Sequence, residues 1–182
     1  MFRLGVVLTT ALLGSLVFAQ APRYNIGREA TPEEIRARDI SVSPGGSGLP
    51  PGRGTPKEGR LVYQTKCSSC HGDRGQGSQY YPALVGGQGT LTTDHPLLTV
   101  GSYWPYSTTV WDYIHRTMPY QEPGTLTANE TYCVTAYILY LNEIIRQDQE
   151  MNEKTLPMVR MPNRDGFVPD ARPDVKSKSK KR

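Results

Sequence analysis

The sequence predicts an all-α fold, and three observations carry that expectation. Thr127-Ala128-Asn129-Glu130 has the form of a helix capping box, and Cys133, Tyr137, Tyr140, Leu141 and Ile144 follow at i, i+4, i+7, i+8 and i+11. Two shorter segments, one ending near Cys67 and one near Thr117, read as further helices. No segment alternates apolar and polar residues as a half-buried strand would, and no internal repeat is present.

In chain order, the first element is a leader. Arg3 supplies a positive charge, residues 4–18 are almost wholly apolar, and Ala19-Gln20-Ala21 has the A-x-A form of a processing site. The apolar run falls short of the roughly 20 residues that span a bilayer. Residues 1–21 therefore read as a signal peptide, and the chain as exported and soluble. Membrane attachment is expected only if that leader stays uncleaved.

Residues 22–56 read as an N-terminal extension lying on the core. Within it, Thr31-Pro32-Glu33-Glu34 is a helix start with a cap, a first-position proline and a closing glutamate. The turn-rich stretch from Ser43 to Pro56 follows it. A domain over 57–147 comes next. Its first helix begins near Pro56 and runs through Leu61, Val62 and Tyr63 into Cys67. A Gly-rich segment over about 72–102 is long enough to imply a function of its own, such as wrapping a bound group. The second helix is expected over Ser107–Thr117, capped by Ser107, with Val110, Trp111 and Ile114 inward, and Pro119 stops it. The third runs from the Thr127 cap to near Gln147. Residues 148–182 read as a C-terminal extension ending in a solvated, disordered basic tail.

The charge distribution excludes one class of partner. Of 21 basic residues, five lie in the tail from Lys176 onward and one in the leader, so residues 22–175 hold fifteen basic residues against all 17 acidic ones, a net −2. The basic character belongs to the tail, and no basic stripe with interleaved aromatics exists for nucleic acid.

The chemistry sits at Cys67-Ser68-Ser69-Cys70-His71. C-x-x-C-H is the covalent haem attachment pattern. Two thiols three positions apart at a helix end can each form a thioether to a haem vinyl, and the next histidine then falls under the iron as proximal ligand. Three other readings compete. A thioredoxin-like pair using Cys67 and Cys70 would make the chain a thiol–disulfide oxidoreductase but needs a βαβ context that is absent. A zinc site lacks a second close-spaced pair, with only Cys133, His95 and His115 left over. A plain disulfide between Cys67 and Cys70 is the third.

A sulfur ligand opposite histidine raises the potential of electron-shuttling haem proteins. Met118, after the second helix and before Pro119, is the expected sixth ligand. Met158 and Met161 are rivals in the C-terminal stretch. His95 or His115 would give bis-histidine ligation, and His115 is expected on the exposed side of its helix. Tyr103, Trp104 and Tyr106 read equally as lining a haem edge or as loop aromatics filling the core.

Glu58-Gly-Arg-Leu-Val-Tyr63, Cys67-x-x-Cys-His-Gly72, Tyr113-Ile-His-Arg-Thr-Met118-Pro119 and the Tyr132-to-Asn142 helix together resemble monohaem class I cytochromes c. The resemblance implies a fold wrapped around one covalent haem c with His71 and Met118 as axial ligands. It also implies that the Pro82 carbonyl orients His71 and that Leu84 packs on the haem. Such a chain carries electrons and is not itself a catalyst.

A narrower resemblance rests on Gly27–Glu34, Gly48-Leu-Pro-Pro51, Val100–Tyr106 and Thr155–Phe167. These segments are similar to cytochrome c subunits of periplasmic molybdenum sulfite dehydrogenases and their sulfane-sulfur relatives. That likeness implies periplasmic location, a molybdenum-containing dehydrogenase as electron donor, and another cytochrome or terminal oxidase as acceptor. A different periplasmic dehydrogenase, such as a quinoprotein, is the alternative partner. The chain departs from the pattern at His115, where arginine is expected, and at Cys133, read as a buried core thiol.

Overall fold

The computed structural model describes Tyr24, residues 26–170 and Arg172. The expected signal peptide and basic tail lie outside the described residues. Chain contacts divide the protein into Met1–Asp39 and Ile40–Arg182.

In the first unit, α1 (Pro32–Arg38) starts on the predicted capping box. Thr31 Oγ1 accepts from Glu34 N, and the Glu34 carboxylate accepts from Thr31 N. This helix buries none of its residues.

The second unit is built on a crossing of two helices. The first, α2 (Pro56–Lys66), opens with a second capping box between Thr55 and Glu58 and has proline at its first position. The other, α5 (Ala128–Leu141), opens on the box between Thr127 and Glu130. They meet where Gly59 lies against the backbone of Cys133, and the buried rings of Tyr63 and Tyr137 pack at 5.3 Å. A methyl group on Gly59 would collide with the Cys133 carbonyl, so this crossing requires glycine.

Between them lie α3 (Ser68–His71) and α4 (Ser107–Thr117). Ser107 is not the cap of α4. It is the first helical residue, buried, and its hydroxyl donates to Leu156 O at 2.6 Å. Helix α5 also ends sooner than expected, at Leu141. The buried Asn142 side chain donates to Ile138 O and Leu84 O, and Glu143 adopts φ 60°, which turns the chain away. Ile144 still packs on the core.

The C-terminal stretch joins the core. Met151, Leu156 and Met161 are fully buried. The two-residue strand β1 (Arg53–Gly54) pairs antiparallel with β2 (Met151–Asn152), Gly54 opposite Met151, and Leu156–Met158 form a 3₁₀ turn. Residues 40–56 lie on the same core: Thr108 donates to Pro44 O, and Tyr132 to Pro50 O. Hydrogen bonds between residues 49 or more positions apart thus tie both flanks to the helices. Among the described residues no helix is long and apolar enough to cross a membrane.

Candidate haem site

Helix α2 ends at Lys66, and Cys67 leaves the helical conformation as its cap before the single turn of α3 carries Cys70 and His71. Gly72, at φ 79°, then lets the chain reverse. The buried Tyr63 hydroxyl donates to Gly72 O at 2.9 Å, so a residue of α2 fixes the exit of the histidine turn.

Cys67, Cys70 and His71 line a cavity of about 490 Å³ together with Pro82, Leu84, Trp104, Val110, Ile114, Met118, Val134 and Ile138. That volume lies within the roughly 300–1,000 Å³ of ligand pockets, and aliphatic and aromatic side chains make most of the wall. Walls come from α4 and α5, and the floor from the loop after α3.

The imidazole is already oriented. His71 Nδ1–H donates to Pro82 O at 3.1 Å. That bond fixes the tautomer and leaves Nε2 with a free lone pair, which is how a metal-ligating histidine is held. Met118 caps the end of α4, its N–H donating to Ile114 O, and its half-buried side chain borders the same cavity.

The rival ligands do not reach this cavity. Met158 is 73% exposed, Met161 is packed in the core, and His95 is exposed on the loop. His115 is half-buried rather than on an exposed face. It stacks on Trp111 at 4.6 Å with Nδ1 3.4 Å from Thr131 Oγ1, because Trp111 sits one turn earlier on α4. Of the loop aromatics, Trp104 borders the cavity, whereas Tyr103 packs on Phe167 and Tyr106 lies under the Arg164 guanidinium.

Burial pushes the Cys67 thiol up to about 11. Reactive C-x-x-C pairs depend on a lowered thiol pKa, the opposite shift. An apolar chamber edged by two thiols and a pre-oriented imidazole fits an attached haem.

Sequence reasoning missed what holds the long loop. Thr99 Oγ1 donates to Gly86 O, Ser102 Oγ donates to Leu97 O at 2.6 Å, and Asn142 bonds both Leu84 O and Gly86 N. A serine or threonine within a Gly-rich run, and an asparagine just past a helical period, were the available signals.

A family model and one solved structure agree with this geometry. Residues 56–142 match the family model described as Cytochrome c. The crystal structure of the sulfane dehydrogenase SoxCD from Paracoccus pantotrophus contains a chain that is 43% identical, with 85% of this chain and 76% of that chain covered and a TM-score of 0.76. A chain of the as-isolated thiosulfate dehydrogenase TsdBA from Marichromatium purpuratum is 26% identical over 47% of this chain and 17% of that one, at a TM-score of 0.37. Among curated proteins none matches. With helices, attachment motif and apolar chamber all in one arrangement, the chain belongs to the cytochrome c family, carries covalently bound haem c in the class I fold, and is an electron carrier rather than a catalyst.

Proposed function

We propose that this cytochrome works in the periplasm as the electron-accepting subunit or partner of a molybdenum-containing dehydrogenase acting on sulfite or another sulfur compound, and passes electrons to another cytochrome or a terminal oxidase. The supporting observation is the extent of the likeness to the SoxCD chain. It covers 85% of the sequence, well beyond the 56–142 core that any cytochrome c would share. The leader over residues 1–21 is proposed as the export signal, with a cytochrome domain over 57–147 flanked by the two extensions.

Cys67 and Cys70 are proposed as the thioether attachment points, and His71 and Met118 as the axial ligands. When bound, the haem supplies a one-electron couple. Pro82 O holds the His71 ring through Nδ1–H. Leu84, Val110, Val134 and Ile138 exclude water, and that burial together with a methionine ligand favours the ferrous state and a high potential. Trp104 is proposed to border the haem edge.

Rapid mixing tests the partner. The ferric holoprotein should be reduced by a periplasmic molybdenum sulfite or sulfane dehydrogenase supplied with its substrate. Absence of reduction at every ionic strength would remove that partner and leave the haem assignment standing.

A further inference from the structure

One buried amide joins the end of α5 to the loop that holds His71. The Asn142 side chain is almost fully enclosed, at 3% exposure. Its Nδ2 donates to Leu84 O at 3.0 Å and to Ile138 O at 2.9 Å, and its Oδ1 accepts from Gly86 N at 3.1 Å. Its backbone carbonyl accepts from Gln88 Nε2 at 3.3 Å. Gly101 is packed so closely on Asn142 Oδ1 that any side chain there would collide with it.

The segment this amide grips is short and heavily constrained. Leu84 N and Val85 N both donate to Gly75 O, at 2.8 and 3.1 Å, and Val100 N donates to Leu84 O at 3.3 Å. Thr99 Oγ1 donates to Gly86 O at 2.5 Å. Asn142 is the member of this set that comes from the end of α5, the helix whose Val134 and Ile138 form the cavity wall. Two residues before Leu84 is Pro82, whose carbonyl accepts from His71 Nδ1–H. Only Ala83 separates Leu84 from Pro82, so displacement of Leu84 reaches that carbonyl through a single intervening residue.

We propose that Asn142 is a positioning residue for electron transfer: by fixing the 84–86 segment against α5 it holds Pro82 O on His71 and so sets the reduction potential of the bound haem. This rests on the reading of His71 as the proximal ligand. A strong Nδ1–H bond makes the imidazole a better donor and stabilises the ferric state. Loosening the segment weakens that bond, so the potential should rise. An amide is required, because only it both donates to two carbonyls and accepts from an N–H at one position.

The test uses the holoprotein and neutral substitutions, so that no new charge enters. Asn142→Leu should raise the potential by the equivalent of about a threefold change in the ferrous-to-ferric ratio, a smaller effect than the roughly tenfold or more in metal affinity or activity that follows loss of a group bonded directly to a metal-ligating histidine. The His71 Nδ1–H should also exchange faster with solvent by proton NMR. Thr99→Val releases Gly86 O from the same segment and should move both readouts in the same direction, which keeps the test open if Asn142→Leu does not fold. Tyr132→Phe, which loses a bond to Pro50 O on another face, should lower stability and leave the potential unchanged. The proposal is overturned if the 142 and 99 variants lose stability while potential and exchange stay at wild-type values. If the wild-type protein itself showed no histidine-ligated haem, the ligand assignment would fall instead.

Discussion

Gly59 of α2 lies directly against the carbonyl of Cys133 on α5, with no room for a methyl group between the two backbones. In an exposed helix, glycine to alanine would gain about 1 kcal/mol of propensity. Here the blocking atoms are backbone and cannot rotate away, so overpacking dominates at about 3 kcal/mol. Gly59→Ala should therefore destabilise the protein by roughly 2 kcal/mol net in chemical denaturation. The exposed Gln64→Ala on the same helix should stay within about 0.5 kcal/mol. A stabilised Gly59→Ala protein would mean that α2 and α5 do not cross at this point.

The same two helices are joined at the rim of the haem cavity by Lys66 and Glu130, 2.8 Å apart. Glu130 also closes the capping box of α5. The Lys66 ammonium, with the Thr127 backbone N–H, holds the Glu130 carboxyl down to about 2 from an ordinary 4.5. Because the folded value is depressed, the stabilisation is present above about pH 4.5 and is lost as pH falls towards 2. The pair is about a third exposed, which limits its value to roughly 1 kcal/mol. Glu130→Gln retains a capping side chain and removes the charge. It should cost about that much at pH 7 and low salt, less at 1 M salt, and progressively less as pH falls towards 2. A difference as large at pH 2 as at pH 7 would assign the effect to packing.

The attachment turn and the start of α5 were legible because each is a local pattern: a five-residue motif, and a cap followed by a 3.6-residue period. The end of α5 was not. Periodicity continues through Ile144, yet the Asn142 side chain finds better partners in Leu84 O and Gly86 N, 56 or more positions away, than a further helical turn would offer. Ser107 shows the same limit. Its sequence context suits a cap, but a buried acceptor at Leu156 takes its hydroxyl. The packing of the C-terminal flank was not legible for a related reason. Pro-rich segments carry no period, so nothing local indicates that Met151, Leu156 and Met161 fill the core.

Thiol chemistry separates the haem reading from a dithiol one. Cys133 is buried between Gly54 and Gly59, and burial pushes its thiol up, so it should not react in the folded protein. Two of the three cysteines are expected to be consumed as thioethers, leaving one. The folded holoprotein should titrate no thiol with an aromatic disulfide reagent, and the denatured holoprotein one. Three thiols after denaturation under reducing conditions would contradict thioether attachment.

Methionine substitutions should dissociate ligation from packing. Met118 borders the haem cavity, Met161 is 1% exposed in the core, and Met158 is 73% exposed. Met118→Ala should abolish the weak long-wavelength absorption of a methionine-ligated ferric haem and lower the potential, since a thioether favours the ferrous state. Its effect on core stability should be modest, because the side chain is only half-buried. Met161→Ala should do the reverse, costing about 2–5 kcal/mol by leaving a cavity while the long-wavelength band and potential persist. Met158→Ala should change neither by a measurable amount. If the band survives Met118→Ala and disappears in Met161→Ala, the sulfur ligand comes from the C-terminal stretch, and the chain there must leave the core to reach the iron.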